Sequence, residues 1–184
     1  NRFLRGTLTH ALLEHLPQLD KALWPDAAAS FIATRGATLP PRTRDSIVSE
    51  SLRILTSGAF ASLFGPNGRA EVPIIAELPR PEGKRGPPLK LTGQIDRLVV
   101  TADEVLIVDY KTNRPPPLAV ADVAEVYLFQ LAAYRLALQR IYPGHTVRAA
   151  LLWTELPDIM EIPQEILDTY ASRLWEIETG RLDG

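Results

Sequence analysis

Gly93-Gln94-Ile95-Asp96-Arg97-Leu98 and Ile107-Val108-Asp109-Tyr110-Lys111-Thr112 decide how this chain is read. Both stretches have the apolar, β-branched character of strands, and each delivers an aspartate. A lysine follows the second aspartate by two residues. Residues two apart on a strand share a face, so Asp109 and Lys111 project together. Tyr110 points the other way and leaves its backbone carbonyl near the acids. If Asp96 faces the same side, two carboxylates, a carbonyl and an ammonium converge. Such a set suits a hard divalent cation beside a phosphate. A plain ion pair competes with this reading. Leu106-Ile107-Val108 makes Asp109 emerge from a buried strand, a buried carboxylate needs a cation or hydrogen bonds, and Lys111 can supply them.

Outward from these strands, Ala70 to Leu78 reads as another strand and Pro79 to Pro88 as a loop. Leu89 to Thr101 and Val105 to Lys111 form a hairpin through Ala102-Asp103-Glu104. Asn113 to Pro117 must leave the sheet. Val120 to Ile141 is a long helix with Val123, Val126, Tyr127, Gln130, Leu131, Tyr134, Leu138 and Ile141 on one broad side, stopped by Pro143-Gly144. Val147 to Thr154 is β-rich, and a last helix runs from Pro163 to about Thr179. Ahead of the sheet lie three helices, near Gly6–Leu19, Asp26–Arg35 and Thr43–Phe60. The third buries Ser51, Leu52 and Leu55 and continues toward Ala59, Leu63 and Phe64. The order predicts an α/β fold: a mixed central sheet flanked by helices, with an additional N-terminal helical region.

The chain of 184 residues fits one domain: a mainly helical part over 1–64, a sheet and crossover helix over 70–154, and a C-terminal helix over 163–180. At 46% hydrophobic and 23% charged it can bury an ordinary core. The net charge of −2 argues against a DNA-coating protein, though not against a nuclease, whose metal site concentrates acids. The absence of cysteine excludes disulfides, thiolate zinc and cysteine-held iron–sulfur clusters. No apolar run approaches a membrane span and no signal peptide precedes the first helix, so a soluble intracellular protein is expected. The opening Asn1-Arg2-Phe3 lacks an initiator Met, which suggests a piece of something larger.

Four further candidates each have an ordinary alternative. His10 and Glu14 stand one turn apart on a helix, where a lone histidine is ordinarily a packed or solvent-facing residue. Gln130 and Tyr134 also share a helix face; they read either as core or as an amide and a hydroxyl reaching a phosphate or a metal-bound water. Glu71, by alternation on the face of Pro73, either hydrogen-bonds locally or lies near a metal as an auxiliary group; a direct ligand is not expected. Arg80, Lys84 and Arg85 are a solvated basic loop or a contact to a nucleic-acid backbone. His15 and His145 carry no comparable signal.

Taken together, Arg5-Gly6-Thr7-Leu8-Thr9-His10-Ala11-Leu12-Leu13-Glu14, Glu71-Val72-Pro73, Gly93-Gln94-Ile95-Asp96-Arg97-Leu98, Val108-Asp109-Tyr110-Lys111-Thr112 and Gln130-Leu131-Ala132-Ala133-Tyr134 resemble the RecB-type branch of the PD-(D/E)XK nuclease family. Within it they look most like the C-terminal nuclease domain of AddA helicase–nuclease subunits. The resemblance implies a restriction-endonuclease-like fold and a metal held by His10, Asp96, Asp109 and the Tyr110 carbonyl. It implies Lys111 as the catalytic lysine and Gln130 and Tyr134 as auxiliary active-site or DNA-contact residues. The implied activity is Mg²⁺-dependent DNA hydrolysis, with Mn²⁺ as substitute, by an exonuclease acting in double-strand break repair and recombination. The implied partners are DNA, the helicase domains of a parent chain and an AddB-like subunit, in the bacterial cytoplasm. No Gly-x-x-x-x-Gly-Lys-Ser/Thr loop is present, so no ATP site is expected here. The rival is a nuclease-like module that docks DNA or a partner without cleaving. A hydrolase of small phosphorylated molecules is disfavoured by the lack of a phosphate-cradling glycine loop.

Overall fold

Two apolar runs of unequal length, joined by a turn that closes on itself, make the hairpin at the centre of the sheet. In the computed structural model, which describes residues 2–177, they are β2 (Leu89–Val100) and β3 (Glu104–Lys111). Thr101 ties the turn: its amide donates to the Glu104 carbonyl at 2.9 Å, and its hydroxyl accepts from the Glu104 amide at 3.2 Å. The strands are antiparallel, with Arg97 opposite Val108 and Val100 opposite Val105. With β1 (Gly68–Leu78), β4 (Thr146–Trp153) and β5 (Asp158–Glu161) they form one mixed five-stranded sheet in the order β1-β2-β3-β4-β5. The α/β class expected from the sequence is the one observed.

The chain divides into two compact units. The first comprises 1–68, 110–116 and 152–159. It contains α1 (Arg2–His15), α2 (Trp24–Arg35) and α3 (Pro41–Thr56). Leu8, Leu12 and Leu13 of α1, Ala28 and Ile32 of α2, and Ile47 and Ile54 of α3 are buried. Spacings of four and seven residues are what let each helix bury one face against its neighbours. Glu50 is also buried. It accepts from the Arg5 guanidinium at 3.0 Å and from that of Arg114, which also pairs with Glu155 at 3.2 Å.

The second unit comprises 69–109, 117–151 and 160–184, described here as far as residue 177. It holds the bulk of the sheet with α4 (Glu125–Ile141) and α5 (Gln164–Ser172), which pack together. Ile95, Leu98, Ile107, Leu131, Ala133, Leu151 and Leu167 form its core. Arg135 on α4 reaches Asp168 on α5 at 2.6 Å and donates to the Val147 carbonyl at 3.0 Å.

Several boundaries differ from the sequence reading. β5 was not foreseen, because Asp158-Ile159-Met160-Glu161 is short and half polar, as edge strands often are. Val123 and Ala124 take extended backbone, so α4 starts at Glu125, after a short 3-10 turn over Val120–Asp122. On α4 the buried set includes Ala132, Ala133 and Ala137, whereas Val126 and Ile141 at the two ends are exposed. Small alanines let neighbours approach the helix on more than one side, which a single-stripe reading misses. On α3 the buried side holds Ile47 and Ile54 rather than Leu52. The expected end of the last helix near Thr179 lies outside the described residues; α5 ends at Ser172 and a 3-10 turn follows over Leu174–Glu176. Among the described residues no helix is long and apolar enough to cross a membrane.

Candidate metal centre and active site

β2 and β3 set the position of the two aspartates. Their printed register runs from Val100–Val105 to Arg97–Val108. One further step brings Asp96 across from Asp109. Residues opposite one another in an antiparallel ladder project to the same face, with Cβ atoms about 4.5–5.5 Å apart. Both carboxylates are buried, at 7% and 6% exposure. Like charges so placed repel, and burial raises the cost of keeping both ionised. A cation held between them removes both penalties.

Behind this pair stands α4. Tyr134 and Gln130, one turn apart, are both buried. The Gln130 amide donates to the Tyr134 hydroxyl, which donates to the Gln94 carbonyl, each over a long 3.4 Å. Burial pushes the Tyr134 hydroxyl above its ordinary pKa; Asp109 and, more weakly, Asp96 push in the same direction, while the Gln94 and Gln130 contacts oppose. Tyr134 therefore stays a neutral hydroxyl, able to donate. Gly93 explains how it fits: a Cβ there would meet the Tyr134 hydroxyl and come within 3.0 Å of its ring. Only glycine lets the tyrosine lie this close to β2. The glycine of Gly-Gln-Ile-Asp and the tyrosine of Gln-x-x-x-Tyr are thus one packing unit.

Glu71 lies in β1 with φ 50°, in the left-handed region that a non-glycine residue rarely adopts. Its carbonyl accepts from the Gln94 side chain at 3.2 Å, which helps hold the turned backbone. The simple alternation that put Glu71 on the face of Pro73 is interrupted at this residue. Strain of this kind persists where the surroundings hold it, and it concentrates at functional sites.

His10 sits on α1, with Nε2 3.2 Å from the Tyr110 carbonyl and its ring edge-on to Tyr110 at 5.5 Å. The nitrogen and the carbonyl oxygen are at hydrogen-bond distance, which fixes the imidazole beside the Tyr110 backbone. His10, Glu71 and Asp96 each offer a ligand atom, and these atoms lie within 4.8 Å of one another. This His/Glu/Asp cluster could coordinate a divalent metal. The donor set is mostly oxygen with one imidazole, which fits such a cation and disfavours a soft one.

The remaining candidates divide. Lys111 is half-buried at the end of β3, two residues from Asp109; its carbonyl accepts from the Thr154 amide at 3.0 Å. Glu14 pairs with His15 at 3.5 Å rather than serving His10. His145 contacts the Thr101 carbonyl at 3.0 Å, an ordinary turn contact. Two features were missed from the sequence. One is the contact between Gly93 and Tyr134, for which glycine inside a strand pattern is the available signal. The other is the left-handed backbone at Glu71, a residue already singled out as an auxiliary candidate near a metal; a positive φ at glutamate leaves no mark in the sequence.

The description "PD-(D/E)XK nuclease superfamily" matches residues 1–175. The chain belongs to that superfamily. No curated protein matches it. Among solved structures, one described as "Crystal structure of SSO0001" is similar at 15% identity and a TM-score of 0.38, covering 96% of this chain and 86% of that one. In this superfamily member, therefore, a candidate metal-binding triad accompanies a mixed sheet and a buried pair of aspartates.

Proposed function

We propose that this chain is a divalent-metal-dependent deoxyribonuclease that hydrolyses DNA phosphodiester bonds. The observation that carries the reading is the cluster of His10, Glu71 and Asp96, whose ligand atoms lie within 4.8 Å of one another. His10, Asp96, Asp109 and the Tyr110 carbonyl would hold the ion, and Glu71 would join them as a direct ligand, a stronger role than the sequence reading allowed it. A Mg²⁺ or Mn²⁺ ion bound there supplies Lewis-acid polarisation of the phosphate and lowers the pKa of a coordinated water. Lys111 offers its ammonium to the charge that develops on the phosphate as the bond breaks. Tyr134, neutral and donating, orients a phosphate oxygen or a water, with Gln130 steadying its hydroxyl.

The Ile-Asp-Arg-Leu, Val-Asp-Tyr-Lys-Thr and Gln-x-x-x-Tyr runs support a narrower assignment to the RecB-type branch. There the chain serves as the single nuclease domain, of exonuclease type, of an AddA-like helicase–nuclease. Helicase domains and an AddB-like subunit would feed it DNA during double-strand break repair in a bacterial cytoplasm. Degradation of linear DNA with Mg²⁺, with Mn²⁺ and with EDTA tests the core of the reading. Metal-dependent loss of DNA is the expected result; wild-type protein that leaves DNA intact with either metal would reduce it to a docking module.

A further inference from the structure

The β1–β2 connection carries Arg80, Lys84 and Arg85 and would ordinarily be a solvated loop. Its structure is more ordered than that. The Arg80 guanidinium donates to the Pro87 carbonyl at 3.1 Å and lies where a Cβ on Gly86 would stand. Gly86 has φ 138° and so leaves that space to the arginine at no steric cost. The Lys84 amide closes a turn on the Pro81 carbonyl at 3.0 Å. Arg80, Lys84 and Arg140, the last from the end of α4, line one open concavity of about 400 Å³, with Glu77 on its wall. Among the described residues none of the three cations forms an ion pair with an acid. Three positive groups and one acid leave the concavity with a surplus of positive charge, in a chain whose net charge is −2.

Its place relative to the acids is set by regular elements of one unit. From Asp96 to Lys90 along β2 is six residues, about 20 Å at strand rise. From Tyr134 to Arg140 along α4 is also six residues, about 9 Å of helix. One strand and one helix thus connect the acid-bearing end to the basic end. A distance of about 20 Å spans about six nucleotides of stacked strand at 3.4 Å each, and fewer if the strand is extended.

We propose that this concavity binds backbone phosphates of the substrate strand several nucleotides from the bond that is cut. The inference rests on the nuclease reading and adds a second contact to it. Arg80 is held by the chain itself, so it presents its remaining N–H groups without first being ordered. Lys84 and Arg140 add charge and no sequence preference.

The test is the double variant K84E/R140E, with R42E/R53E, at two exposed arginines of α3, as a charge-matched control. Binding of a labelled strand of about 20 nucleotides is followed in EDTA, where cleavage is silent, across a salt series. Loss of two single-strand phosphate contacts lowers the salt slope by about 1.4, which corresponds to roughly 25-fold weaker binding near 0.1 M salt. In Mg²⁺ the variant should show a raised KM and unchanged kcat on the long strand, and wild-type kinetics on a strand of about three nucleotides. Unchanged affinity and slope, or a control that loses as much as the double variant, would overturn the proposal. Wild-type protein that cleaves nothing in Mg²⁺ or Mn²⁺ would instead overturn the nuclease reading, and the EDTA arm would still report on the concavity.

Discussion

Glu50 and the pair Asp96/Asp109 are buried acids handled in opposite ways. Glu50, in the helical unit, meets two guanidinium groups, those of Arg5 and Arg114. Asp96, in the sheet unit, looks across the ladder at another carboxylate. The first arrangement neutralises charge from within the chain and can serve folding. The second brings two buried carboxylates onto neighbouring strands, where a bound cation would find oxygen ligands. Stability and activity should therefore respond in opposite directions when each is altered.

The largest effect expected is on activity. Asp109→Asn keeps the shape and removes one of the facing charges. Cleavage of linear DNA should fall by at least about a thousandfold, which is about 4 kcal/mol of barrier. The melting temperature in EDTA should stay near the wild-type value, since the amide keeps the shape of the carboxylate. A variant that instead unfolds would identify Asp109 as the structural partner of Lys111. Full cleavage would remove it from the site.

Glu50→Ala should do the reverse. It leaves Arg5 and Arg114 without their shared acceptor, and breaking a buried pair costs about 3 kcal/mol at the lower end of the usual range. Denaturant unfolding should show the loss, and Mn²⁺ affinity measured well below the midpoint should stay near the wild-type value. If Glu50→Ala were as stable as the wild type, the contrast between the two regions would fail at its structural end.

The contrast also shows what could be read beforehand. Alternation and i+2 spacing set Asp109 and Lys111 on one face and left open whether Asp96 joined them, because that depends on the hairpin register. Order and type of the helices followed from apolar spacing. What escaped was whatever depends on contacts distant in sequence or on unusual backbone. Arg5, Glu50 and Arg114 are spread over 110 residues, and no local pattern links them. The positive φ of Glu71 is one its neighbours do not betray. β5 was too short and too polar to announce itself.

A sharper probe of the acid-bearing end is Gly93→Ala. The methyl would collide with the Tyr134 hydroxyl and ring, so Tyr134 must move. Overpacking of this kind costs about 1–3 kcal/mol. A Gly93→Ala/Tyr134→Phe double variant removes the hydroxyl in the way and should recover part of the stability without recovering cleavage. Additive losses in that pair would mean that the collision is relieved elsewhere.

The smallest effect expected comes from a third kind of acid, one that is exposed. Glu161 on β5 accepts from Arg148 on β4 at 2.5 and 2.7 Å, and this hydrogen bonding pulls the Glu161 carboxyl below its usual 4.5. A carboxyl depressed in the folded state stabilises above its unfolded pKa and loses that contribution as pH falls through the folded value. The pair should therefore be fully effective above about pH 4.5 and fade below it. Both side chains are more than a third exposed, at 34% and 45%, so solvent screens the pair and its contribution is below about 1 kcal/mol. Glu161→Gln should lower the urea midpoint slightly at pH 7 and by less as the pH falls below about 4.5 toward 3. An equal loss at both values would mean that Glu161 acts through packing at the sheet edge, and the exposed acid would then join Glu50 as a structural group rather than stand apart from both buried classes.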